Sequence, residues 1–355
     1  AAGAPDSHFP VALVYRPDLA ARDGSTCGEA RIVIAKPSGI ITDRNLAIFE
    51  TSIPNPDPSC GLAGCRKIAE FWVNLSAVPD FSQRLDALER FYFSGLDRAQ
   101  DGVATKPALD AANLGIADRT GGRRGQIRTN QFMTGPHPQL WQLREFKLDL
   151  ACTDPADCKL AFKPVSVNTN PWGELFNDRA SHLLGPELRT ELLGQIKALS
   201  PQDLNAIGMS IADRFNAGQS SSQSIESDYG VQFGLGDPNG FRKDITNRLA
   251  SLAIPLTADD IVARATTQSC AGCHQLSNGA RLGGLDASGQ ELRWPSSAGF
   301  VHTVESGSRS PALDEVFLPR RKQILEQFLR DTGSGVCVPP TSHDPTPIAG
   351  KAMVH

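Results

Sequence analysis

Cys270-Ala271-Gly272-Cys273-His274 is the stretch of this sequence with the plainest chemical content. Its two thiols are separated by about one helical turn, and an imidazole follows directly. That spacing suits two thioether bonds along one edge of a porphyrin, with His274 turned under the ring toward the iron. C-x-x-C-H is the attachment signature of haem c. Two other chemistries compete. Half of a zinc site is one, but zinc wants a second pair at short spacing, and Cys60/Cys65 and Cys152/Cys158 fit that poorly. A redox dithiol is the other, but it expects a βαβ setting that the sequence does not show.

One covalently attached haem c is therefore the expected cofactor, held by Cys270 and Cys273 with His274 as proximal ligand. Second axial ligands in cytochromes are His or Met. No Met lies between His274 and the C-terminal helix, so His302 in Gly299-Phe300-Val301-His302-Thr303 is the nearest candidate. It could equally be a hydrogen-bonded surface histidine. Met133, Met209 and His182 are more distant candidates, and a site left open is the remaining one. Trp294 either packs on the porphyrin or is an ordinary core aromatic. His137, between Pro136 and Pro138, reads as structural. The basic run 119–124 reads as a solvated turn.

The 355 residues, 40% hydrophobic and 21% charged, are enough for two or three domains with a sizeable core. A net charge of -4 gives no reason to expect a nucleic-acid partner. No apolar run approaches a membrane span. The start, Ala1-Ala2-Gly3-Ala4-Pro5, resembles the mature end left by a removed signal peptide, so a periplasmic or extracellular location is expected. Six further cysteines then read as three disulfides. The expected pairs are Cys60–Cys65, Cys152–Cys158 and Cys27–Cys337.

The elements that must position the motif divide by composition. Residues 1–170 are β-rich, with strands expected over 11–15, 30–35, 46–50, 69–75, 125–133, 139–150 and 160–168. A bulge is expected near 144–146, and one helix over 82–93. The arrangement expected is an antiparallel, sandwich-like domain. Residues 171–245 form a helical connection, with a helix opening at Ser200-Pro201-Gln202-Asp203 and carrying Leu204, Ile207, Ile211 and Phe215 on one face. The polar run 218–224 reads as a mobile loop. Residues 246–335 form the haem domain. Thr257-Ala258-Asp259-Asp260 caps a helix that runs into Cys270, 279–299 is an irregular loop, and Pro319 opens a last helix. Residues 336–355 form an irregular tail.

The order helix, C-x-x-C-H, irregular loop, C-terminal helix resembles a class I cytochrome c domain over about a quarter of the chain. The fold class expected is thus α+β and multidomain, with a β-rich N-terminal domain and a mostly helical cytochrome c-like C-terminal domain. The resemblance implies Cys270 and Cys273 as thioether cysteines and His274 as proximal ligand, and a C-terminal helix packed across the first. The function expected is electron transfer to a redox protein partner. The alternative is a peroxidase- or oxidase-like haem enzyme, in which His302 or Arg293 would stand off an open distal face.

Overall fold

The computed structural model describes residues 8–114, 125–133, 140–154, 157–333 and 337, with backbone alone at 150, 152–154 and 157. The fold is α+β. Six antiparallel strands follow one another in chain order: β1 (Phe9–Arg16), β2 (Thr26–Ala35), β3 (Asn45–Pro54), β4 (Gln126–Phe132), β5 (Trp141–Asp154) and β6 (Asp157–Val165). A two-residue strand, β7 (Ser220–Ser221), pairs with β5 and completes a seven-stranded sheet. The only other sheet among the described residues is the hairpin of β8 (Arg281–Leu285) and β9 (Glu291–Arg293), inside the stretch expected to be an irregular loop. The N-terminal region is therefore one meander and not a sandwich.

Side chains alternate across a strand, and that alternation decides what covers each face. Tyr15, Ala30 and Ile32 point to one side, toward α1 (Arg66–Leu75) and the π-helical turn Arg90–Ser94. Tyr15 stacks on Trp72 at 5.4 Å, and Trp72 meets Phe91 edge-on at 5.4 Å. The strand expected over 69–75 is thus the second half of α1. Ile68, Ala69 and Trp72 recur at helical spacing and bury one stripe on the sheet. The expected helix at 82–93 is present as α2 (Phe81–Glu89) and the π turn that follows, and a single turn, α3 (Arg98–Asp101), succeeds it. Val14, Arg16, Arg31, Val33, Glu50 and Arg128 point to the other side, toward the C-terminal half of the chain. The bulge expected near 144–146 does not occur. Pairing with β4 and β6 is continuous there, because Glu145 fills a buried position against Arg128.

The C-terminal half contains α4 (Gly185–Gly194), α5 (Ile196–Leu199), α6 (Tyr229–Gly234), α7 (Phe241–Ser251) and α8 (Ala258–Thr267). One core joins Leu188, Phe233, Ile245 and Ile261, so it runs through the expected boundary near 245. The capping box at Thr257 and Asp260 is formed, with reciprocal bonds of 3.1 and 2.8 Å. No helix opens at Pro201. Arg264 takes the carbonyls of Leu199 and Pro201 at 3.0 and 2.6 Å, and Asp203 caps only a short 3-10 turn, Leu204–Ala206. Ile207 and Phe215 are buried from an otherwise extended segment.

A π turn, Ala312–Phe317, leads straight into the last helix, α9 (Leu318–Asp331). The resemblance placed this helix across α8. It lies instead against α1 and the turn Pro17–Leu19, with Phe328 in the N-terminal core and Arg66 donating to the Leu329 carbonyl at 2.7 Å. The disulfides reinforce that return to the N-terminus. Two of them are Cys27–Cys65 and Cys60–Cys337, which replace the expected Cys60–Cys65 and Cys27–Cys337. Cys60 lies in the first part of the turn Pro58–Cys65 and Cys65 ends it, and each is matched to a partner from outside the turn. In the β5–β6 hairpin the backbone register sets Cys152 opposite Cys158.

Candidate functional site

The motif lies where α8 ends. Ser269 and Thr266 close the helix, and the chain widens into a π turn over Gly272–Leu276, with the Ser277 amide reaching back to the Gly272 carbonyl at 2.9 Å. Such single π turns concentrate at functional sites. Gly272 is required here, since a Cβ would fall on the Thr266 carbonyl. Cys270 and Cys273 are both free thiols with 0% exposure.

His274 is fixed by a carbonyl. Its Nδ1 lies 2.9 Å from the Phe300 oxygen, which can only accept, so Nδ1 carries the proton and Nε2 keeps its lone pair. Metal-ligating histidines show this arrangement as a rule. Phe300 has φ 68, a left-handed conformation rare outside glycine, and this turns its carbonyl to the imidazole. Asn130 on β4 braces the pair. Its amide donates to the same carbonyl at 3.1 Å and lies 3.4 Å from His274 Nδ1, while the Trp141 indole donates to its oxygen. The Trp141 ring packs on His274 at 5.4 Å. Burial lowers the His274 pKa to about 4, so the ring is neutral and able to ligate at neutral pH.

Burial also pushes the Cys270 thiol up to about 12, and Cys273 rises for the same reason. A redox dithiol needs a stabilised thiolate, and this setting opposes one. Zinc fares no better. The one group of three or more metal-ligating side chains brought together among the described residues is Asp57, Cys60 and Cys337, and its two sulfurs are joined in a disulfide.

His274 and His302 line a cavity of about 100 Å³ between the sheet and the C-terminal half. That is well below the ~300–1,000 Å³ of ligand sites. Val14, Val33, Leu46, Ile48, Leu143 and Phe317 make most of its wall apolar. The donor set fits a haem, with two reduced thiols and an oriented neutral imidazole, whereas the cavity as it stands is too small to enclose one.

The other expected site residues fall as follows. His302 is drawn to the motif, with Nε2 3.3 Å from Cys273 Sγ and Nδ1 2.9 Å from Ser310 Oγ. Its ring centroid is 4.7 Å from that of His274. Two imidazoles trans across an iron, each with a metal–nitrogen bond of ~2.0 Å, stand on the order of 6 Å apart. His302 in this position therefore flanks the motif. Trp294 is buried one layer behind the wall, 6.0 Å from the cavity-lining Phe317. Met209 is buried in the C-terminal core, Met133 follows the end of β4 at the surface, and His182 accepts from the Leu184 amide. None of the three lines the cavity. Arg293 is exposed and pairs with Glu291. His137 and the run 119–124 lie outside the described residues.

The serine run 218–224, expected to be a mobile loop, carries a positioning role. Ser220 is fully buried, donates to Asn170 Oδ1 at 2.7 Å and accepts the Ala271 amide at 2.9 Å, so it pins the motif to β7. Ser220→Ala would strand both partners. The expected cost is about 1–3 kcal/mol, read as a lower urea midpoint. A midpoint unchanged from wild type would show that the contact contributes nothing.

No protein-family model, curated protein or solved structure matches this chain.

Proposed function

We propose that the protein is a periplasmic or extracellular monohaem c-type cytochrome acting in electron transfer, with haem c attached at Cys270 and Cys273 and His274 as proximal ligand. The observation that carries this reading is the His274 Nδ1–Phe300 carbonyl bond beside two buried free thiols. It orients the imidazole and leaves Nε2 as the ligating atom. A haem held here supplies one-electron chemistry. The protein's own contribution is burial, a single axial imidazole of fixed tautomer, and a low-dielectric wall from the sheet. Two disulfides fit an oxidising compartment, and no helix among the described residues is long and apolar enough to cross a membrane. Strands β1–β5 supply one wall of the pocket beside the motif.

One observation favours the enzyme reading. Arg31, Glu50 and Arg128 face the cavity, no Met lines it among the described residues, and His302 is bonded to Cys273 and Ser310. A polar, open distal face is what peroxide chemistry needs. If His302 swings to the iron, electron transfer with a six-coordinate centre follows.

The deciding measurement is the visible spectrum of the full chain made with a haem-maturation system, oxidised and dithionite-reduced, with and without carbon monoxide. A sharp reduced α band is expected, and it should vanish in Cys270→Ser/Cys273→Ser. A wild type without that band sinks the haem reading. Indifference to carbon monoxide supports the carrier; rapid binding moves the conclusion to the enzyme, with peroxide turnover as its assay.

A further inference from the structure

A row of charges crosses one face of the sheet. Arg31 on β2 meets Glu50 on β3 at 3.0 Å, Glu50 meets Arg128 on β4 at 3.5 Å, and Arg128 meets Glu145 on β5 at 3.1 Å. Glu29, also on β2, pairs with Arg31 at 2.7 Å. The row stands between two cavities. Arg31 and Arg128 line the small one beside the motif, whereas Glu29 and Glu145 line a second one of about 450 Å³. That second volume falls within the ~300–1,000 Å³ of ligand sites. Its wall is polar. Ser52 from β3, Asn168 from the segment after β6, and Asp213 from the 3-10 turn Asp213–Phe215 join the two glutamates. Lys147 is the one cation among the lining residues, and its ammonium is engaged by the Gly125 carbonyl and by Gln126 Oε1.

We infer that this second cavity binds a small hydroxylated amine in its ammonium form, of the amino-sugar class. Each glutamate has an oxygen to spare. Glu29 Oε2 takes both of its bonds from Arg31, at 3.1 and 2.7 Å. Glu145 Oε2 takes Arg128 at 3.2 and 3.1 Å and the Asn168 backbone amide at 3.2 Å. The Oε1 atom of each accepts no hydrogen bond among the described residues, and neither atom is sealed in the interior. Glu145 is 3% exposed, so its Oε1 faces the cavity rather than bulk water. A buried carboxylate oxygen without a donor is costly. A ligand ammonium supplies both the donor and the opposite charge. A single metal ion does not fit. Among the described residues the one group of ligating atoms close enough to share an ion is Asp57, Cys60 and Cys337. The carboxylates here stand farther apart, so their partner is an organic cation with some length. Its hydroxyls find Ser52 Oγ and the Asn168 side-chain amide, both able to donate and accept, and neither has a partner among the described residues. None of this depends on what the C-x-x-C-H motif carries.

The test is isothermal titration of the full chain with glucosamine, glucose and glucuronate, below the pKa of the amine. Glucosamine should bind. Glucose, with the same ring but no charge, should bind about tenfold more weakly, the value of a hydrogen bond to a charged group, and glucuronate more weakly still. Glu29→Gln keeps the shape of the wall and removes one charge, while Arg31 retains Glu50 at 3.0 Å. It should weaken glucosamine about tenfold and leave glucose unchanged. Ser52→Ala should weaken both sugars. Raising the salt concentration should weaken glucosamine alone. Failure of glucosamine to bind wild type overturns the inference. So does glucose or glucuronate binding as tightly, and so does an unchanged glucosamine affinity in Glu29→Gln. If Glu29→Gln does not accumulate as folded protein, the glucosamine-to-glucose ratio of wild type and the Ser52→Ala titration decide, and glucosamine affinity unchanged in Ser52→Ala overturns the assignment.

Discussion

Arg128→Met is expected to be among the most destabilising single changes in the protein. Arg128, Glu50 and Glu145 are each at most 3% exposed, and the guanidinium is the group between the two carboxylates. Burying a charge without its partner typically costs about 3–5 kcal/mol, far more than the net contribution of the intact pair. The methionine fills much of the arginine's volume, so the loss is electrostatic rather than a cavity. Urea unfolding of the variant should show a loss in that range, and adding Glu145→Leu should recover part of it. A loss below about 1 kcal/mol would mean that water reaches the row. The variant also has a pH signature. Burial pushes the Glu50 carboxyl up, but Arg128 and Arg31 outweigh it and hold it below the ordinary value. A lowered carboxylate contributes stability that is fully present above the unfolded pKa, ~4.3 for Glu. That contribution is lost as pH falls through the lower folded value. Without Arg128 the folded value rises, so acid unfolding should begin at a higher pH than in wild type.

Cys60→Ser/Cys337→Ser is the second large expectation. The bond joins residues 277 apart, against 38 for Cys27–Cys65. In the chain-entropy account the denatured state gains more freedom the longer the opened loop, which gives about 6 kcal/mol here and about 4 kcal/mol for the shorter bridge. The double serine variant should therefore unfold at a clearly lower urea midpoint under non-reducing conditions, and reductant should bring wild type toward or below it. Equal midpoints for variant and oxidised wild type would show that packing of α9, including Arg66 on the Leu329 carbonyl, already holds the terminus.

What could be read from the sequence was whatever is local. The C-x-x-C-H run, the Thr257 capping box and the alternation in β1 to β6 are visible because spacing along the chain determines them. Errors arose where a partner far along the chain decides. The Ser220 run looks mobile by composition, yet its hydroxyl is satisfied by Asn170 and Ala271, which only the fold supplies. Residues 69–75 suit either a strand or a helix until Tyr15 and Phe91 define the stripe they must bury. The slip at Arg144–Phe146 is no bulge, since Glu145 is buried against an arginine 17 residues earlier. Likewise Asn130, Phe300 and Trp141, which orient His274, carry no signal beyond ordinary polarity or apolarity.

If the motif takes a haem as proposed, the burial of both its thiols sets an order of assembly. A thiol with 0% exposure cannot meet a porphyrin arriving from solvent. Strands from the N-terminal part of the chain form one wall of the cavity, and α9, near the other end, contributes Arg321 to it. On the proposed reading, attachment must then precede the docking of α9 and the closing of Cys60–Cys337. The cofactor would be present while the walls close around it. A chain that completes its oxidative folding first would seal an empty chamber, so the timing of thiol oxidation in the cell would govern how much of the protein carries its cofactor.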